Sequence, residues 1–212
     1  MNYNFIVIEG NIGAGKTSLV TKLSNDINAK PLYEQFNENP FLPLFYNDPQ
    51  RYSFILEMSF LANRYQQLKE ELGTIDMFRP TILADYYFTK SLIFAKSTLT
   101  TDEYHLYRTF FNMIYKSLPK PDLYVYLHVN VSKALKNIKI RGRLYEQNID
   151  ATYLEKIQDS YYEYFKQQQD TQRVLIIDTT GIDFVNSNKD FVILKETILN
   201  TNYKSGITKI VL

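Results

Sequence analysis

Short apolar runs alternate with longer segments of helical spacing along the whole chain. The runs predicted as buried strands are YNFIVIEG, KPLYEQF, PTILADYY, PDLYVYLHV and RVLIIDTT. Helical spacing is found in GKTSLVTKLSNDIN and over 51–72, 88–97, 101–117, 134–140, 150–169 and 188–200, while prolines mark ENPFLPLFYNDPQ as a loop with a short helix. This alternation indicates one α/β domain over 1–212, with a parallel five-stranded sheet covered by helices on both faces. The tail KSGITKIVL either adds an edge strand or is loose.

The helix that contains SFILEMSFLANRYQQL has apolar residues on nearly every face, which is typical of a buried helix. Glu57 and Arg64 nevertheless share one stripe with Phe54, Leu61 and Leu68, at spacings of three and four. At ~1.5 Å of rise per residue, the two charged residues are about 10 Å apart along the helix axis. That separation is long for a direct ion pair, and it suits a flat polar molecule bound between the two side chains.

The segment GNIGAGKT fits the phosphate-binding pattern G-x-x-x-x-G-K-[ST] in full, and it lies between a predicted strand and a predicted helix. Glycines let backbone N–H groups close around phosphate oxygens, and the helix N-terminus adds partial positive charge. Lys16 can reach the outer phosphates of a nucleotide, and the Thr17 hydroxyl can bind Mg²⁺. The predicted phosphate-binding residues are Gly10, Asn11, Ile12, Gly13, Ala14, Gly15, Lys16, Thr17 and Ser18.

Composition narrows the classes of function that remain. The chain has 212 residues, 45% hydrophobic and 22% charged, as in an ordinary globular protein. A formal net charge of +1 predicts no bulk attraction to nucleic acid or to a membrane surface, and the absence of cysteine excludes disulfides and thiol nucleophiles. The segment MNYNFIVIEG lacks the features of a signal peptide, and no stretch approaches the roughly 20 apolar residues of a membrane span. We therefore expect a cytoplasmic protein.

A phosphate-binding loop does not identify the molecule that accepts the phosphoryl group. Glu34 gives the first indication of that acceptor. This residue ends the second predicted strand, and ligands of an open α/β sheet bind at the carboxyl ends of its strands. A carboxylate at that position could take the proton from an attacking hydroxyl group.

Several features in this order resemble the deoxynucleoside kinases, which transfer the γ-phosphoryl group of ATP to the 5′-OH of a deoxynucleoside. They are the phosphate-binding loop, the strand-two Glu, FYNDPQRYSF, IFAK, and RGR followed by Glu. The resemblance runs from residue 5 to about 190 and is nearest to the bacterial deoxyguanosine and deoxyadenosine kinase branch. It implies a P-loop kinase fold with a basic lid, ATP and Mg²⁺ as cofactors, and a homodimer formed through helices near 55–65 and 104–115.

The resemblance also implies roles for single residues. Glu34 matches the general base that activates the 5′-OH. Tyr46 and Glu146 match the residues that hold the sugar 3′-OH, and Phe94 matches the ring that stacks on the base. Without the resemblance, core packing would be the ordinary explanation for Tyr46 and Phe94.

Glu57 falls where many members of this family carry a Gln that binds the base edge, and Arg64 falls where an Arg serves base recognition. An ionised Glu accepts hydrogen bonds only. Guanine presents two adjacent donors, N1–H and the 2-amino group, that a carboxylate can accept together, and Arg64 could donate to O6 and N7. Adenine would instead set its N1 acceptor against the carboxylate. We therefore predict a preference for guanine over adenine.

One segment departs from the family pattern of Asp/Glu-Arg-Ser after strand three, because this chain reads LADYYFTKS. Asp85 can supply the acid and hold Mg²⁺ with Thr17, although an ungapped count from IFAK would place Ala84 there. Tyr86 stands where Arg is expected. The cations that could replace that Arg are Lys90, Arg79 and an Arg of the lid. Lys90 could also donate to guanine O6.

The basic segment KNIKIRGRLYEQN matches the family lid, which closes over the triphosphate. Its cations are Lys136, Lys139, Arg141 and Arg143. We expect Arg141 and Arg143 to neutralise charge during transfer. DTTGIDF follows the last predicted strand, and the family loop at this place borders the adenine of ATP, so Asp183 and Phe184 are candidates for that pocket.

The most favoured function is ATP-dependent phosphorylation of a purine deoxynucleoside, with deoxyguanosine as the expected substrate. A deoxyadenosine or broad deoxynucleoside kinase is the first alternative. A thymidylate kinase is the second, and YEQFNENPF has no Arg to hold its acceptor phosphate. A nucleotide-dependent switch is the third, and it would have no need of Glu34, Tyr46, Glu57 and Glu146 together.

Overall fold

The computed structural model describes residues 3–35, 39–73 and 76–212. Within these ranges the strands are β1 (Phe5–Gly10), β2 (Lys30–Leu32), β3 (Ile82–Ala84), β4 (Leu123–His128), β5 (Arg173–Asp178) and β6 (Gly206–Val211). The helices are α1 (Lys16–Ile27), α2 (Phe41–Asn47), α3 (Pro49–Leu72), α4 (Thr89–Thr98), α5 (Thr101–Tyr115), α6 (Val131–Arg141), α7 (Ala151–Gln168) and α8 (Asn188–Leu199). A short 3₁₀ helix (Leu144–Glu146) lies between α6 and α7.

The strands form one parallel sheet in the order β2-β3-β1-β4-β5-β6, which confirms the predicted α/β fold. The predicted number of five strands is wrong, because the tail adds β6 as a sixth strand among the described residues. It pairs with β5 from Arg173 opposite Gly206 to Asp178 opposite Val211. As an edge strand it is only partly buried, so its sequence lacks the continuous apolar run of a central strand.

Apolar side chains cover both faces of the sheet, as expected for parallel strands. Ile6 and Ile8 point to a core shared with α1, α6 and α8. Val7, between them, points to the opposite core, which is shared with α3, α4, α5 and α7. The central strands are therefore buried on both sides, and side chains that meet a ligand lie at the strand ends.

Several boundaries differ from the predictions for local reasons. β3 ends at Ala84 instead of continuing to Tyr87, because the Tyr87 N–H donates to the Glu9 carboxylate at 3.0 Å and leaves the strand ladder. α6 begins at Val131, three residues earlier than predicted, because the Asn130 side chain accepts a hydrogen bond from the helix backbone.

Near the second strand, part of the prediction lies outside the described residues. β2 covers Lys30–Leu32 of the strand predicted over 30–36. Phe36, at the end of that predicted strand, and Glu38, in the loop predicted after it, are not among the described residues. α3 begins at Pro49, where the Asp48 side chain accepts from the Arg51 N–H at 3.3 Å.

The carboxyl ends of β1, β2 and β3 meet at one edge of the sheet, because the three strands are parallel neighbours. The segments that follow them carry the phosphate-binding loop, Glu34 and Asp85. Over the three described ranges, we find no helix long and apolar enough to cross a membrane.

Candidate active site

The phosphate-binding loop joins β1 to α1 and closes on itself through Lys16. Its Nζ donates to the carbonyl oxygens of Gly10 at 2.8 Å and Asn11 at 2.9 Å. Burial and the nearby charge of Lys90 lower the pKa of Lys16 to about 8. Gly15 has φ +88, and a Cβ there would lie 2.8 Å from a ring carbon of Phe184, so the position requires glycine.

Two side chains with oxygen donors for a metal ion, those of Thr17 and Asp85, lie beside the first turn of α1. The Thr17 hydroxyl donates to Asp85 Oδ2 at 2.5 Å, and Asp85 Oδ1 accepts the Glu34 backbone N–H at 2.8 Å. Ala84 lies within β3, so Asp85 is the residue that brings a carboxylate to this point. Burial raises the pKa of Asp85, partly offset by the Thr17 hydrogen bond. A hydroxyl and a carboxylate next to a phosphate-binding loop are hard oxygen donors that fit Mg²⁺.

Glu34 is held by two cations on separate oxygens. Arg64 Nη2 and Nε lie 2.7 and 2.9 Å from Glu34 Oε1, and Lys90 Nζ lies 2.5 Å from Oε2. Burial alone would raise the pKa of Glu34, but the charges and hydrogen bonds of Lys90 and Arg64 outweigh it and lower the pKa to about 2. Glu34 is therefore ionised throughout the physiological range of pH.

Arg64 is fixed on three sides. Besides its two bonds to Glu34, its Nη1 donates to the Ser91 hydroxyl at 2.9 Å. Its guanidinium also lies 4.6 Å from the centroid of the Phe60 ring, one turn earlier on α3. The predicted base-recognition residue thus orients Glu34 in this structure.

Glu57 is buried on the same side of α3, with only 2% of its surface exposed. Oε1 accepts from the Thr98 hydroxyl at 3.0 Å, and Oε2 has no hydrogen-bond partner among the described residues. Burial raises the pKa of Glu57 to about 7, against the opposing influence of Arg64, Thr98 and Lys90. A buried acceptor without a partner is costly, and it indicates a binding position for a donor group.

Two aromatic side chains line the same cavity as these charged groups. Phe94, on α4, packs edge-on against Tyr161, and Lys90 Nζ lies 5.2 Å from the centre of its ring. Tyr46, on α2, stacks on Tyr145 with ring centroids 5.9 Å apart. Burial, followed by the nearby charge of Glu146, raises the pKa of Tyr46, so its hydroxyl is a neutral donor.

The end of α6 and the segment that follows it also line this cavity. Glu146 is buried and forms ion pairs with Arg141 and, at 3.2 Å, with Arg143 Nη1. Gly142, between the two arginines, ends α6 in the left-handed conformation and turns both side chains toward this carboxylate. The lid arginines and the predicted sugar-binding acid therefore form one cluster.

One cavity gathers most of the predicted site residues. Those that line it are Ile12, Lys16, Thr17, Glu34, Tyr46, Glu57, Arg64, Asp85, Lys90, Phe94, Arg141, Arg143 and Glu146. The predicted site residues that are not on its wall are Gly10, Asn11, Gly13, Ala14, Gly15, Ser18, Asp183 and Phe184. The Asp183 carboxylate accepts the N–H groups of Val185 and Asn186 and so organises its own turn, and Phe184 packs beside Gly15.

Sequence reasoning missed three polar residues that hold this arrangement. Ser91 anchors Arg64, Thr98 bonds Glu57, and buried Glu9 accepts from the Tyr87 N–H and from the Tyr161 hydroxyl at 2.7 Å. Burial raises the pKa of Glu9. Glu9 had one visible signal, a charged residue inside an apolar strand; Ser91 and Thr98 had none, because single hydroxyls are common in helices.

Comparison with known proteins identifies the family of this chain. Residues 6–202 match the model of the deoxynucleoside kinase family. The chain is 36% identical over 190 residues to a deoxyguanosine kinase of Bacillus subtilis, covering 88% of this chain and 92% of that protein. It is 32% identical over 203 residues to a deoxyadenosine kinase of Lactobacillus acidophilus, covering 90% of this chain and 93% of that protein.

The fold is also similar to solved structures. One is a deoxyadenosine kinase from M. mycoides with bound dATP, with a TM-score of 0.79 and 25% identity, covering 93% of this chain and 99% of that one. A second structure of that enzyme, with the products dCMP and dCDP, has a TM-score of 0.78 at 26% identity, covering 91% of this chain and 98% of that one. On sequence and fold together, this chain belongs to the deoxynucleoside kinase family and is an ATP-dependent deoxynucleoside kinase.

Proposed function

We propose that this kinase transfers the γ-phosphoryl group of ATP to the 5′-OH of deoxyguanosine and forms dGMP, with Mg²⁺ as the metal. The observation that carries the choice of base is the buried carboxyl group of Glu57, whose Oε2 lacks a partner among residues 3–35, 39–73 and 76–212. Deoxyadenosine remains the second candidate, because the similar proteins include kinases of both purines.

Guanine can supply the hydrogen-bond donors that the Glu57 carboxyl group lacks. Its N1–H and 2-amino group are adjacent donors, and an ionised carboxylate can accept both. Each good bidentate pair of this kind is worth about 1–3 kcal/mol of discrimination against the wrong base. Phe94 offers a ring on which the base can stack. Arg64 and Lys90 are the predicted donors to the O6 and N7 side, and here both donate to Glu34.

Glu34 is the proposed general base. Its low pKa keeps it ionised. Oε1 accepts twice from Arg64, whereas Oε2 accepts only from Lys90, so Oε2 is the oxygen that can also accept a hydrogen bond from the 5′-OH. Phosphoryl transfer passes through a loose transition state in most analyses, so orientation of the nucleophile matters more than base strength. Arg64, fixed by Ser91 and Phe60, provides that orientation.

The phosphate donor would lie over the loop of Gly10–Thr17. Lys16 would bind the outer phosphates, and Thr17 with Asp85 would hold Mg²⁺, which neutralises phosphate charge when bound. Arg141 and Arg143 would add positive charge from the lid. In the same proposal Glu146 and Tyr46 bind the 3′-OH, while Asp183 and Phe184 border the ATP adenine. We also propose a cytoplasmic location and a homodimer.

A panel of the four deoxynucleosides with ATP and Mg²⁺ tests the proposal. We expect dGMP to form with the highest kcat/KM, and chromatography of the products measures it. A higher kcat/KM for deoxyadenosine or for a pyrimidine deoxynucleoside, or no dGMP at saturating deoxyguanosine, would overturn the choice of substrate.

The substitution Glu34→Gln tests the base. It keeps the size of the side chain and removes its charge, so we expect kcat to fall by about 10²–10⁴-fold. The KM for deoxyguanosine should change by less than kcat. Glu71→Gln is the matched control, because Glu71 forms an ion pair with Lys30 and is 42% exposed, outside the cavity. Wild-type kcat in Glu34→Gln would refute the assignment.

A further inference from the structure

The loop that follows β5 is held by a lysine of α6. Lys133 Nζ donates to three carbonyl oxygens of this loop, those of Thr179 at 2.8 Å, Thr180 at 3.0 Å and Ile182 at 2.7 Å. An ammonium group has three donors, so these carbonyl groups satisfy all of them. Asn130, the residue before α6, adds another contact, because its N–H donates to the Thr180 hydroxyl at 3.1 Å. The start of α6 and the loop are therefore fixed to each other.

A second lysine binds the far end of the same loop. Lys22 Nζ, on α1, donates to the carbonyl oxygens of Phe184 at 3.0 Å and Val185 at 2.9 Å. Both lysines are half-buried. Hydrogen bonds from a charged donor are stronger than those from a neutral one. Two ammonium groups thus hold the backbone of the segment 179–185 from its two ends.

Helix α6 and this loop both pack on the phosphate-binding loop. A Cβ at Gly13 would lie 2.5 Å from a backbone oxygen of α6, and Asn137 Nδ2 donates to the Gly13 carbonyl oxygen at 2.8 Å. Phe184 lies against the phosphate-binding loop at Gly15. Lys133 therefore joins two elements that each contact the phosphate-binding loop, and it fixes the position of one relative to the other.

One face of α6 makes all of these contacts. Lys133, Asn137 and Arg141 follow one another at spacings of four, so their side chains lie on the same side of the helix. The first holds the loop after β5, the second holds the phosphate-binding loop, and the third lines the cavity beside Glu146. The helix thus sets the distance between the loop after β5 and the groups that would bind phosphate.

We propose that Lys133 is a positioning residue for the donor nucleotide, because its ammonium group holds the loop after β5 in the conformation that binds the base of ATP. In this role Lys133 contacts the loop and not the substrates. Without the ammonium group, ATP would have to order the loop as it binds, and its affinity would fall. The side chains of α3 and α4 that face the deoxynucleoside would be unaffected. This inference rests on the proposed placement of the ATP adenine beside Asp183 and Phe184.

The substitution Lys133→Met tests the inference, because it keeps the length of the side chain and removes the ammonium group. We expect the KM for ATP to rise about tenfold, which is about 1.4 kcal/mol and on the order of the cost of fixing the backbone of one residue. The KM for deoxyguanosine and kcat should stay near their wild-type values. Lys195→Met is the matched control, because Lys195 pairs with Asp26 at 3.0 Å outside the cavity. It should leave all three constants unchanged.

Chemical rescue of Lys133→Ala separates positioning from a general loss of structure. The atoms that this variant lacks are those of n-propylammonium, so the added ion can return N–H donors to the three carbonyl groups. We expect n-propylammonium to lower the KM for ATP toward the wild-type value, and tetramethylammonium, which has the same charge and no N–H group, to have no effect. A rise in both KM values together with a fall in kcat, without rescue, would overturn the inference.

Calorimetry of ADP binding requires no transfer reaction and separates this inference from the proposed function. We expect the Kd of ADP to be about tenfold higher for Lys133→Met than for the wild type. Equal Kd values would overturn the inference and leave the proposed function standing. Failure of the wild type to form dGMP would overturn the proposed function, and the ADP measurement would still decide the inference.

Hydrogen exchange on the wild-type protein does not depend on the folding of any variant. If lysine contacts order the loop, the backbone N–H groups of 179–185 should exchange slowly without nucleotide. Fast exchange that slows only when ADP is added would show that the nucleotide orders the loop, and it would overturn the inference.

Discussion

The carboxyl group of Glu57 is deeply buried, and its Oε2 has no hydrogen-bond partner among the described residues. Its raised pKa and its proposed role in binding the base follow from these two features. Most buried carboxylates are compensated by a cation, as Glu34 is by Arg64 and Lys90. The two cations lower the pKa of Glu34, while burial raises that of Glu57. Two carboxyl groups of one pocket thus have opposite proton affinities, which suits one to the reacting hydroxyl and the other to the base.

The raised pKa of Glu57 also predicts a pH-dependent stability. Between its ordinary value of 4.5 and the folded value of about 7, the folded protein keeps a proton that the unfolded chain releases. The free energy of unfolding therefore falls as pH rises through this window, by up to about 3 kcal/mol. Glu57→Gln removes the effect, so the melting temperature of the variant should exceed that of the wild type at pH 8 and not at pH 5.

The control for this prediction is again Glu71→Gln, whose exposed carboxylate should leave the melting temperature unchanged at both values of pH. Equal differences between wild type and Glu57→Gln at pH 5 and at pH 8 would contradict the assigned proton affinity.

The departure from the family pattern after β3 also has a structural explanation at the residue scale. Tyr86 replaces the expected Arg, and its hydroxyl donates to Gln67 at 2.6 Å instead of facing the site. Lys90 supplies the positive charge at Glu34 from the first turn of α4. Arg79 pairs with Asp76 and is not on the cavity wall. Of the three cations that the sequence left open, these contacts favour Lys90.

Helix α3 was predictable because its apolar pattern is long, although it begins at Pro49, two residues before the predicted start. The helix and the burial of Glu57 and Arg64 on one side follow from the spacing of its apolar residues. The partner of Arg64 did not follow from that spacing. Glu34 lies 30 positions away, and only the folded sheet brings the two side chains to 2.7 Å.

Helix α5 carries the exposed apolar side chains that we expect to form a dimer contact. Leu106 is 50% exposed, Phe110 36% and Met113 63%, at spacings of four and three along one face. We expect light scattering to give twice the chain mass of 25.0 kDa for the wild type. The double substitution Leu106→Glu with Met113→Glu should give single chains, because it places two charges on that face.

Glu103→Gln with Arg108→Gln is a matched pair of changes on the same helix that leaves the apolar face intact, and it should keep the wild-type mass. A wild-type mass of one chain, or an unchanged assembly after both charges are added, would contradict the proposed contact.

At the scale of the whole molecule, the parallel sheet explains why distant segments share one pocket. The ends of β1, β2 and β3 deliver the phosphate-binding loop, Glu34 and Asp85 to one edge. Patterning of apolar residues could predict this edge, since each strand is a short buried run followed by a polar residue. Patterning left β6 open as an edge strand or a loose tail, because its half-exposed residues carry no strong periodicity. It gave no signal for Ser91 and Thr98, whose roles depend on tertiary packing.

The central claim is that the carboxyl group of Glu57 selects guanine, and a competition assay tests it most directly. Wild type and Glu57→Gln are each given equal concentrations of deoxyguanosine and deoxyadenosine with limiting ATP at pH 8, and dGMP and dAMP are separated and counted. The wild type should form dGMP in roughly 5- to 150-fold excess, as expected for one bidentate base contact, and Glu57→Gln should form more dAMP than dGMP. The same product ratio from both proteins would contradict the account.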